Sequence, residues 1–287
     1  MERPLHYGAG MANRELQASA AAAADGARPV VEQLYPGASA RPMRHGRQGL
    51  LWDPVAQMPP AARERVRERI IPVATAAFDG TTADYWAQHW SDEQLDRLDV
   101  LHVAVDETGI PVGWVSGRRA DWGGRRVLYA ASAGVAPEIQ GGGVSAALWR
   151  RVVERELRRA PLQPLLVVLR TGNPLVYDAW VAAASNPRAV HPRPDTAVPA
   201  RVQAIARDAA AYLGQAAELD PRRLHITDAY RSTPGGLWRH RPRSRDQGTN
   251  TWFDTTLKPT DAVLVVARFH PLTQLWRTRT SRRRTKR

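Results

Sequence analysis

Gln140, Gly141, Gly142 and Gly143, followed by Val144, Ser145 and Ala146, have the plainest chemical capacity in this 287-residue sequence. Glycines let a chain turn sharply and leave its N–H groups uncovered. Behind them, Ala146 to Arg159 sets Ala147, Leu148, Val152, Val153 and Leu157 on one side and Arg150, Arg151, Glu154, Arg155 and Arg158 on the other. That spacing predicts an amphipathic helix. A helix opening from a glycine turn presents unpaired N–H groups and the positive end of its dipole. Such a junction suits an anion, pyrophosphate most naturally, and a glycine turn without ligand is the plain alternative. No Lys follows Gly143, so the Walker pattern is absent. The dinucleotide fingerprint should follow the first parallel strand, whereas three strands joined by short turns lead into this loop. Other proton-transfer groups read as structural. Asp106 and Glu107 fall in a turn, Glu138 precedes the loop, and His102 lies within an apolar run. No His/Asp/Glu grouping has metal-ligand spacing, so no metal is expected. The lack of Cys excludes disulfides and thiol catalysis.

The elements that must position this loop are legible around it. Val100 to Val105, Pro111 to Ser116 and Arg126 to Ala133 read as three antiparallel strands with turns at Asp106–Gly109 and Asp121–Gly124. Leu165 to Leu169 (LLVVL) is apolar without alternation, as in a central strand buried on both sides. Asn173 and Pro174 then start a helix, as cap and first residue, running from Leu175 to Ala184. Earlier, Val66, Ile70, Ala74 and Phe78 mark a helix that Pro72 would divide. Thr82 to Trp90 gives another, and Ser91 with Gln94 makes a capping-box pattern. The aromatic group Tyr85, Trp86 and Trp90 reads as packing. Later come a helix over Ala200–Leu213, a short strand over Leu224–Ala229, a polar loop over 231–250 and a buried strand over Asp261–Phe269.

Composition sets the frame. Hydrophobic content is 43% and charged content 24%, ordinary for a globular protein. The net charge is +13, and seven of its positive charges fall within Arg277–Arg287. That tail reads as a disordered basic terminus, with weak polyanion contact as the sharper reading. No apolar stretch is long enough to span a membrane and no signal peptide is visible, so a cytoplasmic location is expected. Residues 1–50 read as a largely disordered extension with a short helix over Arg14–Ala24, 51–276 as one domain with an enlarged 185–250 segment, and 277–287 as the tail.

The segment VAPEIQGGGVSAALWR, placed after three antiparallel strands, resembles the GCN5-related N-acetyltransferase (GNAT) superfamily. Gln140, Gly143 and Ser145 occupy the places of its Gln/Arg-x-x-Gly-x-Gly/Ala motif, and LRTGNPLVYDAW is similar to a later Thr-x-Asn-Pro-x-Val-Tyr segment. The resemblance implies an α/β fold: a GNAT-like central mixed β-sheet flanked by helices, with a V-shaped splay between the fourth and fifth strands near Ala131–Val135 and Leu166–Leu169. It implies acetyl-CoA as cosubstrate. Its pantetheine arm would bond the backbone of Gly134 and Val135, its pyrophosphate the N–H groups from Gly141 to Ala146, with Asn173 on the far side.

The implied reaction is direct attack of a primary amine on the thioester, which needs a base for the amine proton and a donor toward the leaving thiolate. Trp180 stands where family members carry a Tyr, and Tyr177, one turn earlier, is the nearest phenol. Asp228 and Tyr230 end the strand where the acceptor would arrive. Trp238, Arg239, His240, Arg241 and Arg243 form a basic aromatic loop that could meet an acidic acceptor or CoA phosphate, or stay solvated. The acceptor is a small-molecule or peptide amine, and a homodimer is left open. Two other readings stand beside this one: a degenerate CoA-binding structural or regulatory module, and a basic nucleic-acid-binding protein.

Overall fold

A computed structural model describes residues 31–184 and 186–271 of the chain. The described chain enters the sheet through β1 (Ser39–Pro42) and β2 (Gln48–Trp52). β2 is buried throughout and pairs antiparallel with β3 (Val100–Val105). This corrects the expectation of disorder up to residue 50 for the part from 31 onward. The Gly-, Arg- and Pro-rich composition there hid a strand whose order comes from pairing with β3, a partner distant in sequence. The helix expected over Arg14–Ala24 and the basic tail lie outside the described residues.

Three helices separate β2 from β3: α1 (Pro60–Ala77), α2 (Ala83–His89) and α3 (Asp92–Asp96). α1 starts on a proline, where the missing N–H costs nothing. It also runs through Pro72 undivided. Pro72 faces outward, while Val66, Ile70 and Ala74 are fully buried and hold both halves on the sheet. Thr82 caps α2 by accepting from Tyr85 N at 3.2 Å, and Ser91 caps α3 by accepting from Gln94 N at 3.4 Å.

The chain continues through β4 (Pro111–Trp122), β5 (Arg125–Val135), α4 (Val144–Arg159), β6 (Leu165–Thr171) and α5 (Pro174–Ala183). There follow β7 (Val190–His191), α6 (Ala200–Tyr212), β8 (Leu219–Asp220), β9 (His225–Ile226), α7 (Gln247–Thr256) and β10 (Ala262–Phe269). α7 begins inside the stretch expected as a polar loop and runs on past it. Its threonines are weak helix formers, but Asp246 caps it by accepting from Thr249 N at 3.0 Å and Phe253 is fully buried. The strand expected over Leu224–Ala229 shortens to His225–Ile226.

The strands run in the order β1-β2-β3-β4-β5-β6-β10-β9-β8, with β7 also on β10. Of these pairings, β5 with β6 is parallel and the rest are antiparallel. The result is the expected mixed sheet. α4 and α5 cover one face, over Val115, Leu128, Val167 and Val265. The opposite face is shared: α1, α2 and α3 lie over Leu101 and Val103, and α6 lies over Val127, Val168 and Leu264. Burial on both faces accounts for the unbroken apolar run of β6.

An ionic cluster ties α4 to this frame. The buried carboxylate of Asp53 accepts from Arg119 at 2.6 Å, from Arg159 at 2.8 Å and from Arg155. Glu156 takes a second bond from Arg119 at 2.7 Å. Burial works to raise the Asp53 carboxyl, but the three arginines prevail and hold it below the ordinary carboxylate value.

Candidate functional site

β5 and β6 stay together for four residue pairs only, from Val127 with Leu166 to Ala130 with Leu169. Beyond them β5 follows β4 as far as Val135 opposite Gly113, and β6 follows β10 as far as Thr171 opposite Val263. A register shift at Ser116/Gly117 in β4 falls beside the point of separation, where a bulge adds bend and twist. The expected splay is therefore present. Counting β1 and β2, it separates the fifth and sixth strands of the described chain. Ala131–Val135 line it as expected, whereas Leu166–Leu169 do not, because that apolar run is the part that pairs. On the β6 side the opening starts at Arg170.

Gly134 stands opposite Trp114, whose indole passes so close that a Cβ there would meet it at 2.2 Å. The indole N–H donates to Ser132 Oγ at 2.8 Å. At the end of β5 a single 3-10 turn, Pro137–Ile139, leads into the glycines. Gly141 and Gly143 adopt φ of 79° and 77°, the left-handed region that favours glycine, and nothing lies within 4 Å of where their Cβ atoms would be. Gly143 is the N-cap of α4 and brings no side-chain cap to it. The open loop and uncapped first turn thus fit an anion of pyrophosphate kind. Gln140 Nε2 donates to the Val135 carbonyl at 3.0 Å, folding the loop back onto the strand end. Val144 is buried, Ser145 half-buried and Ala146 exposed. Gly134 and Val135 thus end β5, and Gln140 to Ala146 make the loop and the first turn of α4.

On the other side of the opening, Asn173 is buried and caps α5, its Oδ1 accepting from Leu175 N at 2.9 Å. Tyr177 is also buried, and its hydroxyl donates to the Pro192 carbonyl at 2.8 Å. Burial pushes its pKa up to about 12, helped by the negative charge of Asp178. Trp180 packs edge-on against Trp149 and Phe269 at 5.4 and 5.9 Å. Asp228 is exposed, has φ of 49°, and accepts from Thr260 Oγ1 at 2.7 Å. Tyr230 is buried, with its hydroxyl 3.4 Å from the Arg170 carbonyl. Tyr177 therefore lies on the α5 side that packs against α7, while Asp228 and Tyr230 follow β9.

The basic aromatic loop is solvated at Arg239, His240 and Arg243, which are exposed, and its arginines are also tied to the fold. Arg241 donates to the carbonyls of Phe253, Leu257 and Lys258, and Arg243 pairs with Asp254. Arg239 N bonds Asp79 Oδ1 at 3.0 Å, and the Trp238 ring lies 5.3 Å from Phe78. These arginines close the fold, so composition misled on their availability. His102 is buried and its Nδ1–H donates to the Leu148 carbonyl at 3.1 Å. Asp106 caps its own turn through Thr108 and Ile110. Among the described residues no group of His, Asp or Glu could hold a metal, and no helix is long and apolar enough to cross a membrane.

Sequence reasoning passed over two features. Arg170 ends the apolar run of β6 at the opening and lies over the Tyr230 ring, 4.8 Å from its centre. An arginine directly after LLVVL was the available signal. His225 Nε2 lies 3.1 Å from the buried Asp261 carboxylate, which also accepts from the N–H groups of Asp228 and Lys258. Residues 225 and 261 are too far apart in sequence for spacing to have paired them.

A sheet that is antiparallel up to a glycine loop, parallel once, and parted just beyond defines an α/β fold with an anion-binding junction beside a strand gap. Residues 67–168 match the Acetyltransferase (GNAT) family model, about a third of the chain, and that stretch runs from α1 through β6. Among solved structures, a GNAT family acetyltransferase from Brucella melitensis in complex with acetyl-CoA is 18% identical. The alignment covers 42% of this chain and 74% of that one, with a TM-score of 0.31. A GNAT family N-acetyltransferase from Escherichia coli in complex with CoA is 18% identical over 48% of this chain and 69% of that one, with a TM-score of 0.34. A putative acetyltransferase from Pyrococcus horikoshii is 15% identical over 46% of this chain, which spans 40% of its length, with a TM-score of 0.35. No curated protein matches the sequence.

Proposed function

We propose that the chain is an N-acetyltransferase that moves an acetyl group from acetyl-CoA to a primary amine. One observation carries this reading: β5 and β6 part after Ala130 and Leu169, directly beside an open glycine loop that starts α4. Gly134 and Val135 would hold the donor's arm and the Gly141–Ala146 backbone its pyrophosphate. When bound, acetyl-CoA supplies an activated acyl group. The amine nitrogen forms the new bond to the acyl carbon as the carbon–sulfur bond breaks, and the amine proton passes to a base or to water. The exposed carboxylate of Asp228 is the candidate to take that proton. Tyr177 is the weaker candidate for the acid, because its proton is engaged by the Pro192 carbonyl.

That engagement, and the packing of Trp180 on Trp149, favour one second reading: a CoA-binding module without turnover. Titration calorimetry with acetyl-CoA, followed by thiol release over a panel of amines, separates the two. The enzyme reading expects binding and amine-dependent thiol release. In Gly143→Val, where the left-handed φ is closed to a β-branched residue, binding should weaken at least about tenfold. Tight binding with no release for any amine would favour the module, and no binding would sink both.

A further inference from the structure

Arg170 is a cation without a counter-charge. Arg170 is half-buried; its guanidinium bonds the neutral side-chain amide of Gln215 at 2.6 Å and the phenol of Tyr230, and it has no carboxylate partner among the described residues. Desolvating a guanidinium in that state is unfavourable. Aromatic and imidazole groups surround it. Tyr230 lies beneath it at 4.8 Å, and its charge acts on Tyr85 and His89 of α2 and on Tyr129 of β5.

Its position is specific. Ala130 and Leu169 are the last pair joining β5 to β6, so Arg170 is the first β6 residue past the parting. Side chains alternate along a strand. Leu166 and Val168 belong to the core under α6, and Tyr230 beneath Arg170 belongs to the same core. The glycine loop instead opens α4, which packs on the opposite face. The opening therefore has an anion site on one face and an unpaired guanidinium on the other. A donor held by the first leaves the second to the acceptor.

We propose that Arg170 receives a carboxylate of the acceptor, which makes the acceptor an amine that also carries a carboxyl group, with an apolar or aromatic body lying against the half-buried Tyr85. The assignment rests on the acetyltransferase reading. A guanidinium bonds a carboxylate through two parallel N–H groups, and the aromatic surroundings limit screening by water. The neutral amide of Gln215 occupies one nitrogen and holds the group in place.

The test uses the full chain and three probes measured by titration calorimetry: phenylacetate, its neutral analogue phenylacetamide, and acetyl-CoA. Phenylacetate is expected to bind at least about tenfold more tightly than phenylacetamide, the size of one charge-assisted interaction. Arg170→Gln should remove that difference, while Arg170→Lys, which keeps the charge, should retain part of it. Acetyl-CoA should bind Arg170→Gln as it binds the wild type, which also shows that the variant is folded. Saturating phenylacetate should leave acetyl-CoA affinity unchanged within about twofold.

Equal binding of phenylacetate and phenylacetamide would overturn the assignment, as would binding of neither, or a carboxylate preference that survives in Arg170→Gln. Mutual exclusion with acetyl-CoA would place the anion in the donor site and overturn it too. Phenylacetate binding in a chain that gives no heat with acetyl-CoA would support the anion site and sink the acetyltransferase reading, so the two fail separately.

Discussion

Arg119 and Arg170 lie on strands that flank β5, both partly buried, and they are treated in opposite ways. Arg119 meets Asp53 at 2.6 Å, Glu156 at 2.7 Å and Asp99 at 3.8 Å. Arg170 meets one neutral amide and a phenol ring. The first is a tie: its charge is cancelled by groups from the β2–α1 connection and from α4, and removing a partner would strand an ion inside the protein. The second lies where the sheet opens and where no carboxylate of the described chain reaches it. The contrast teaches how to tell a structural arginine from one kept for a ligand. Burial is similar in the two, and the presence of a counter-ion separates them.

The comparison can be broken from either side. The largest effect is expected from Asp53→Ala, which leaves Arg119, Arg155 and Arg159 crowded around a missing charge. Stability in urea should fall by about 3–5 kcal/mol, the cost of breaking a buried pair. A change near zero would reduce the cluster to surface decoration. Next comes Gly134→Ala, whose new methyl would meet the Trp114 indole. Overpacking of that kind costs about 1–3 kcal/mol and should lower both the melting temperature and acetyl-CoA affinity.

Acid gives a third check. The Asp53 carboxyl is held below its ordinary value of 3.8, so its contribution is fully present above that pH and lost as pH falls through the lower folded value. Acid unfolding should therefore be shallower in Asp53→Ala than in the wild type, and parallel curves would deny the cluster its role. By contrast, Arg170→Gln should cost only about 1 kcal/mol, the bond to the Gln215 amide, since no ion pair is lost. A larger loss would make Arg170 structural after all.

The smallest expected effect is a null one. Burial, with Arg170 nearby, lowers the His89 pKa to about 4. His89 is then neutral throughout the range in which phenylacetate is ionised, and the arginine alone supplies charge. Phenylacetate binding should be flat from about pH 5.5 to 8. A decline as pH rises past about 6.5, the ordinary histidine value, would name His89 as the partner instead.

The glycine loop, the strands around it and the helix behind it were legible because their signals are local. They were an unbroken LLVVL, a 3.6-residue apolar rhythm and three adjacent glycines. The N-terminal pair of strands was not, since the order of Gln48–Trp52 comes from β3, some fifty residues later. Nor was α7, whose weak helix formers are held by Asp246 and by Thr249 bonding Asp178 at 2.9 Å. Charge was the least readable property. The arginines of 239–243 look available in sequence and are spent on backbone carbonyls and on Asp79 and Asp254, while Arg170 looks like an ordinary strand end. Which arginine finds an acid depends on tertiary placement, and a one-dimensional pattern does not contain it.

The shortness of the β5–β6 seam has a consequence in time. N–H groups along a strand point alternately to its two neighbours. From Ala131 to Val135 every second one turns toward the gap, where no strand answers it, while Val127–Ala130 are held on both sides. In deuterated water the two halves of this strand should run as clocks of different speed, the upper half trading its protons well before the lower. Anything that settles in the gap and bonds those groups would slow the faster clock and leave the other untouched. Occupancy could then be read from the mass of a single peptide, before any product has been identified.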